Sequence, residues 1–191
     1  MNEFLGLYPA WLEPGIGAGW VIGFIATIHV LFSHASVGAA LVFAWLARRA
    51  VTANQPQHLD FIRKYGAFLL IFSYVLGSVT GPGIWFAATI ANPRGISALI
   101  HNFVWLWATE WVFFLIEVAG VYLLVYLAGR VPIKTYLRYC TIFALSSVGT
   151  LLIIVGILSF MLWPGQDSWY QTGGVLSAFF GESMFAQLSA R

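Results

Sequence analysis

The sequence predicts an all-α membrane protein, built as an antiparallel bundle of four transmembrane helices with a short interfacial C-terminal helix. Of its 191 residues, 60% are hydrophobic and 8% are charged, whereas about a quarter of the residues of a soluble domain are charged. Four apolar stretches each exceed the roughly 20 residues that a membrane helix needs. These stretches lie at 20–47, 66–90, 101–128 and 139–163.

Short connections join the four stretches, so neighbouring helices are expected to pack antiparallel. Basic residues flank the first and third connections. They are Arg48, Arg49, Arg63 and Lys64 at the first, and Arg130, Lys134 and Arg138 at the third. The second connection has only Arg94. The positive-inside rule then places the first and third connections in the cytoplasm. We therefore expect a multi-pass protein of the bacterial inner membrane with both termini outside, divided into an outer segment 1–19, a bundle 20–163 and an outer tail 164–191.

The two outer segments differ in character. The N-terminal segment carries Glu3 and Glu13 but no basic residue, unlike a cleavable signal peptide, so the first span is predicted to be an uncleaved anchor. Apolar residues recur in the tail at helical spacing, which predicts a short amphipathic helix at the outer interface or beneath a partner subunit. These residues are Val175, Leu176, Phe179, Phe180, Met184, Phe185 and Leu188.

Composition excludes several classes of site. Cys140 is the one cysteine, which excludes an intrachain disulfide, a four-cysteine metal cluster and covalent haem attachment through CxxCH. A basic patch for nucleic acid is also lacking. Any haem in this chain must be held by coordination alone.

Two acidic residues fall inside the predicted spans. Glu110 and Glu117 are seven residues apart in the third helix, which places both on one face. A carboxylate inside the bilayer is costly, so we interpret the pair as proton-handling groups. The alternative is two neutral carboxyls that hydrogen-bond other helices.

Three histidines are candidate metal ligands. His29 and His34 lie five residues apart in the first helix, about 140° around its axis, so they cannot point at one centre. Their depths match those of Glu110 and Glu117, which predicts two histidine–glutamate layers. His101, at the outer mouth of the third helix, is a third ligand candidate, a proton-entry group or a cap.

Glycines and tryptophans suggest space for a flat cofactor. Gly77 and Gly81 precede Pro82 in the second helix, where they either admit a ring or form a helix-packing motif. Trp107 is a further cofactor-binding candidate. The alternative for the tryptophans is an aromatic belt at the outer interface, formed by Trp20, Trp85, Phe86, Trp105, Trp107, Trp163, Trp169 and Tyr170.

Imidazole is a natural axial ligand of haem iron, and buried carboxylates exchange protons during redox reactions. This combination favours one or two haem b groups, and possible contact with quinone, over an ion channel. Three segments carry a family resemblance as well: IHVLFSHASVGAALVFAWLARR, GSVTGPGIWF and ATEWVFFLIEVAGVYLLVYLAGR, followed by LWPGQ.

In order and orientation these segments resemble the first four helices of subunit I of the cytochrome bd quinol oxidases, over about residues 20–165. The resemblance implies that His29 is a haem ligand and that Glu117 is the inner glutamate of the third helix. Glu110 matches the outer glutamate with a spacing that differs by one residue. His34 stands where the family tends to have proline.

Further helices of that family, with the other haem ligands and a quinol-binding loop, have no counterpart here, so we expect an incomplete oxidase. The leading hypothesis is a haem b-binding membrane subunit of a respiratory complex, passing electrons between the quinone pool and an outer c-type cytochrome, beside other membrane subunits. The alternatives are part of a split bd-type oxygen reductase, and a haem-free anchor or proton-conducting subunit.

Overall fold

The computed structural model describes residue 15, residues 17–163 and residues 174–190. Within these residues, all the regular elements are helices, and four are long and apolar enough to cross a membrane. The first span is α1 (Ala18–Thr52), and the second joins α2 (Gln57–Leu69), a π-helical segment (Leu70–Val75) and α3 (Leu76–Ala91). The third is α4 (Pro93–Leu127), the fourth is α5 (Ile133–Leu162), and α6 (Val175–Phe179) and α7 (Met184–Ser189) follow.

The four predicted long apolar helices are confirmed, and three of them begin earlier in the chain than the apolar stretches that predicted them. The second span begins at Gln57 rather than 66, the third at Pro93 rather than 101, and the fourth at Ile133 rather than 139. Each added segment contains charged or polar residues, which an apolar-stretch criterion excludes. A helix that leaves the hydrocarbon can carry such residues because its backbone hydrogen bonds stay within the segment.

Side-chain contacts show that consecutive spans run in opposite directions. His29 meets Thr80 and Ser36 meets Tyr74, so the first two spans pair with opposed numbering. The chain therefore turns twice at one end of the bundle, between Thr52 and Gln57 and between Leu127 and Ile133. We call this the basic end, after the seven lysines and arginines near it, and the other the opposite end.

Two apolar clusters hold the bundle together. The first lies in the half toward the basic end and joins residues of all four spans, among them Phe43, Leu69, Val121 and Phe143. The second lies toward the opposite end, where Phe103 and Phe160 meet edge to face with their ring centroids 5.0 Å apart.

The predicted interfacial helix is instead two short helices, α6 and α7, folded onto the fourth span. Phe179 is 4% exposed, and its ring lies over Gly156, where a Cβ atom would collide with it. The Ser183 and Ser159 hydroxyls lie 3.0 Å apart, and Met184 is fully buried. Of the apolar residues predicted from spacing, Phe179 and Met184 pack against protein, whereas Val175, Leu176, Phe180 and Phe185 are exposed.

Candidate functional site

A polar cluster lies between the two apolar clusters, at the centre of the bundle. Glu117 of α4 is 4% exposed and accepts three hydroxyl hydrogen bonds. Tyr74 donates to Oε2 at 3.0 Å, Ser36 to the same oxygen at 3.4 Å, and Thr150 to Oε1 at 2.5 Å. Each of the four spans thus contributes one side chain, and the cluster satisfies both oxygens of the buried carboxyl group.

The π-helical segment places Tyr74 in this cluster. The backbone N–H of Leu76 bonds the carbonyl oxygen of Ile71, five residues back, which widens the turn around Tyr74. Such wide turns concentrate at functional sites, because the inserted residue redirects neighbouring side chains. The Tyr74 hydroxyl also lies 2.8 Å from that of Ser36, so a continuous chain of hydroxyls connects the first span with Glu117.

The Ser36–Glu117 contact shows which residues of the first and third spans lie at the same depth. Both spans run the same way, so seven residues toward the opposite end lead from Ser36 to His29 and from Glu117 to Glu110. A seven-residue step returns to nearly the same helix face. His29 and Glu110 therefore lie at matching depth, about 10 Å from the Glu117 layer, on faces that continue those of the contacting pair.

The His29 ring is oriented by the second span. Its Nδ1 lies 2.9 Å from Thr80 Oγ1, and that hydroxyl is itself 3.0 Å from the carbonyl oxygen of Leu76. When Thr80 donates its proton to the carbonyl oxygen of Leu76, it accepts from His29 Nδ1–H. The imidazole then holds its free lone pair on Nε2, the atom that a metal would use.

The two candidate glycines differ in their surroundings. A Cβ added to Gly81 would lie 3.4 Å from Cε1 of His29, whereas one added to Gly77 would meet nothing within 4 Å. Gly81 therefore allows the imidazole to lie close to the backbone of the second span. Among the described residues, Gly77 makes no close contact with another helix. A helix-packing motif would require such a contact.

The aromatic residues separate into two groups. Trp85 and Trp107 pack against each other between the second and third spans, with ring centroids 4.8 Å apart. The buried Nε1–H of Trp107 has no hydrogen-bond partner among the described residues. The exposed members, Trp20, Phe86, Trp105 and Trp163, have the exposure expected of a belt. Trp169 and Tyr170 lie outside the described residues.

His34 has a different environment from His29. Its Nδ1 donates to the carbonyl oxygen of Val30 at 2.9 Å, so its ring is oriented by its own helix. It borders a groove between the first and second spans. The residue of the first span that reaches Glu117 is Ser36, at nearly the depth of His34 but on another face.

His101 is exposed and lies two residues before a kink in the third span at Phe103, which has φ −122° and ψ 23°. Glu110 is nine residues further along, a rise of about 13 Å. Because His29 lies at the depth of Glu110, His101 is also about 13 Å from His29 along the bundle axis. The residue beside Nδ1 of His29 is Thr80, and not His34 or His101.

Sequence reasoning missed the hydroxyl partners of the site: Ser36, Tyr74, Thr80 and Thr150. One signal was present, since Ser36 follows His29 at the same seven-residue spacing that separates the two glutamates. Within the described residues, no group of three or more histidine, cysteine or acidic side chains could hold a metal ion. A metal here would rely on single protein ligands, as haem iron does.

Comparison with protein-family models, with curated proteins and with solved structures finds no match to this chain.

Proposed function

We propose that this protein is a haem b-binding membrane subunit of a respiratory electron-transfer complex, with His29 as an axial ligand and Glu110 and Glu117 as proton-handling groups. The observation that carries the proposal is the His29–Thr80–Leu76 hydrogen-bond chain, which leaves Nε2 of a membrane histidine free to coordinate. Histidines that bind metals generally donate their other ring N–H in this way.

Three features on the second and third spans, at about the depth of His29, support the binding of a large flat group. Gly81 presents no side chain to the imidazole. Trp107 offers a buried indole N–H without a partner among the described residues, and haem carries carboxylate groups that accept such bonds. The intramembrane carboxyl group of Glu110 lies at the depth of His29. When bound, haem supplies one-electron transfer.

The protein's own residues would manage the accompanying protons. Glu117 is held by Tyr74, Ser36 and Thr150, whose hydroxyls can each donate or accept, so the carboxyl group can take up or release a proton without losing its partners. Glu110, seven residues away on the same face, is the adjacent acid toward the opposite end. Together they would provide two proton-accepting groups on one helix face, about 10 Å apart along its axis.

The resemblance to the bd-type bundle supports quinol as the electron donor, and the placement of the basic residues supports a periplasmic opposite end. The protein would then sit in the bacterial inner membrane with both termini outside. It would pass electrons from the quinone pool to an outer partner such as a c-type cytochrome.

An optical spectrum of the purified complex tests the proposal. We expect a Soret band and reduced α bands from the wild type, and loss of one haem from His29→Ala. A complex without these bands would overturn the proposal in favour of a haem-free anchor. Carbon monoxide binding to the reduced complex would reveal an open coordination position and favour the oxygen reductase.

A further inference from the structure

The groove that borders His34 is a second feature of the bundle, separate from the His29 site. It lies between the first and second spans, has a volume of about 410 Å³ and opens at the bundle surface. Small residues of the first span, among them Ala35 and Gly38, form its floor. Phe61 and Tyr65 of the second span form its wall, with their rings stacked 5.7 Å apart.

The groove points from the middle of the bundle to the basic end, where two cations lie on the same pair of spans. Arg49 follows the lining residue Val42 by seven residues and therefore shares its face. Lys64 is adjacent to Tyr65. Among the described residues the one ion pair joins Asp60 and Arg63, so neither cation has a carboxylate partner.

We propose that this groove binds an anionic phospholipid, with an acyl chain against Gly38 and Phe61 and the phosphate group at Arg49 and Lys64. Charge complementarity identifies the occupant, because two cations follow the lining residues toward the basic end of the same spans. Neither forms an ion pair among the described residues, and the Arg49 guanidinium lies over the Trp45 ring, 5.6 Å from its centroid. Basic residues between membrane helices recognise anionic headgroups in this way. The proposal is independent of haem at His29.

Native mass spectrometry of the purified protein tests the headgroup preference, with phosphatidylglycerol and phosphatidylcholine of identical acyl chains in equal amounts. Each cation near the headgroup contributes about fivefold. We therefore expect the wild type to retain phosphatidylglycerol roughly 25-fold better. The double variant Arg49→Gln, Lys64→Gln should bind both lipids equally.

The matched control is Lys134→Gln with Arg138→Gln, which removes the same charge at the same end from the other connection. It should keep the wild-type preference. Equal binding of the two lipids by the wild type, or an equal loss of preference in the control, would overturn the proposal. Displacement of the lipid by free glycerol phosphate would also overturn it, by showing a site for phosphate alone.

Filling the groove tests the acyl-chain contact. A Cβ at Gly38 meets no atom within 4 Å, so Gly38→Leu should fold and occupy the groove. We expect it to lower retention of both lipids about tenfold, the effect of losing roughly 1.4 kcal/mol of contact. Gly23→Leu, in equally open space on the same helix, should change nothing. Unchanged lipid retention in Gly38→Leu, or retention of a neutral quinone in place of phospholipid, would contradict the proposal.

Discussion

The hydroxyl group of Ser36 lies 3.4 Å from Oε2 of Glu117, and this contact joins two spans that are not consecutive in the chain. It shows that these two residues of the first and third helices lie at the same depth. His29 and Glu110 consequently share a depth, one layer nearer the opposite end. The site is therefore organised as two layers with a carboxyl group in each. His29 lies at one of these depths, and at the other the residue that reaches the carboxyl group is Ser36 rather than His34.

Replacing Gly81 by leucine should displace the His29 ring, because even a Cβ would lie 3.4 Å from its Cε1 atom. We expect a loss of haem from the purified complex, measured by the pyridine haemochrome assay. Gly77→Leu is the control, since its side chain would enter open space. Equal haem content in the two variants would contradict the placement of the ligand against Gly81.

Thr80→Val removes the acceptor of the His29 Nδ1–H while keeping a side chain of similar size. Losing such an outer partner typically lowers metal affinity roughly 10- to 100-fold. In a titration with an apoprotein that competes for haem, we therefore expect the variant to lose its haem at a lower apoprotein concentration than the wild type. Thr89→Val is the control, because Thr89 also donates to a carbonyl four residues back but is exposed. A tight haem in both variants would show that Thr80 does not orient the ligand.

Glu117→Gln should retain haem and slow proton-coupled turnover. The amide keeps an acceptor for Tyr74 or Thr150 but cannot exchange a proton, and general acid–base groups contribute roughly 10²-fold or more. Quinol oxidation by the assembled complex measures the rate, and the reduced spectrum measures the haem. Thr150→Val is the comparison, since it removes one donor and leaves the carboxyl group. Loss of haem from Glu117→Gln would make the residue structural.

Phe179→Ala should destabilise the bundle by about 3–5 kcal/mol, because it removes a buried aromatic ring from the space over Gly156. Thermal unfolding in detergent measures the change. The neighbouring Phe180 is 52% exposed, and Phe180→Ala should have a much smaller effect. Similar unfolding temperatures for the two variants would show that the α6 contact adds little stability.

The four spans were predictable because an apolar run of about 20 residues has few structural alternatives. The buried glutamates were predictable for the same reason, since a charge in an apolar run is conspicuous. Helix ends were less predictable. The segment Gln57–Leu69 contains both charged and apolar residues, and its helix was not apparent from hydropathy alone.

The partners of the buried groups were beyond sequence reasoning because serine, threonine and tyrosine are common in membrane helices. Tyr74 reaches Glu117 through a π-helical turn, which shifts the facing of every residue after it. Periodicity that assumes a regular helix cannot place such a residue. For His34, sequence spacing predicted the depth but not the direction of the side chain, which borders the groove.

The packing of the Phe179 ring over Gly156 has a consequence for biosynthesis. The residues of α6 and α7 leave the ribosome after all four spans have been made. Until then the space over Gly156, beside Phe103 and Phe160, lacks the ring that fills it in the folded protein. The packing of this half of the protein is therefore completed by a segment that follows all four spans in the chain.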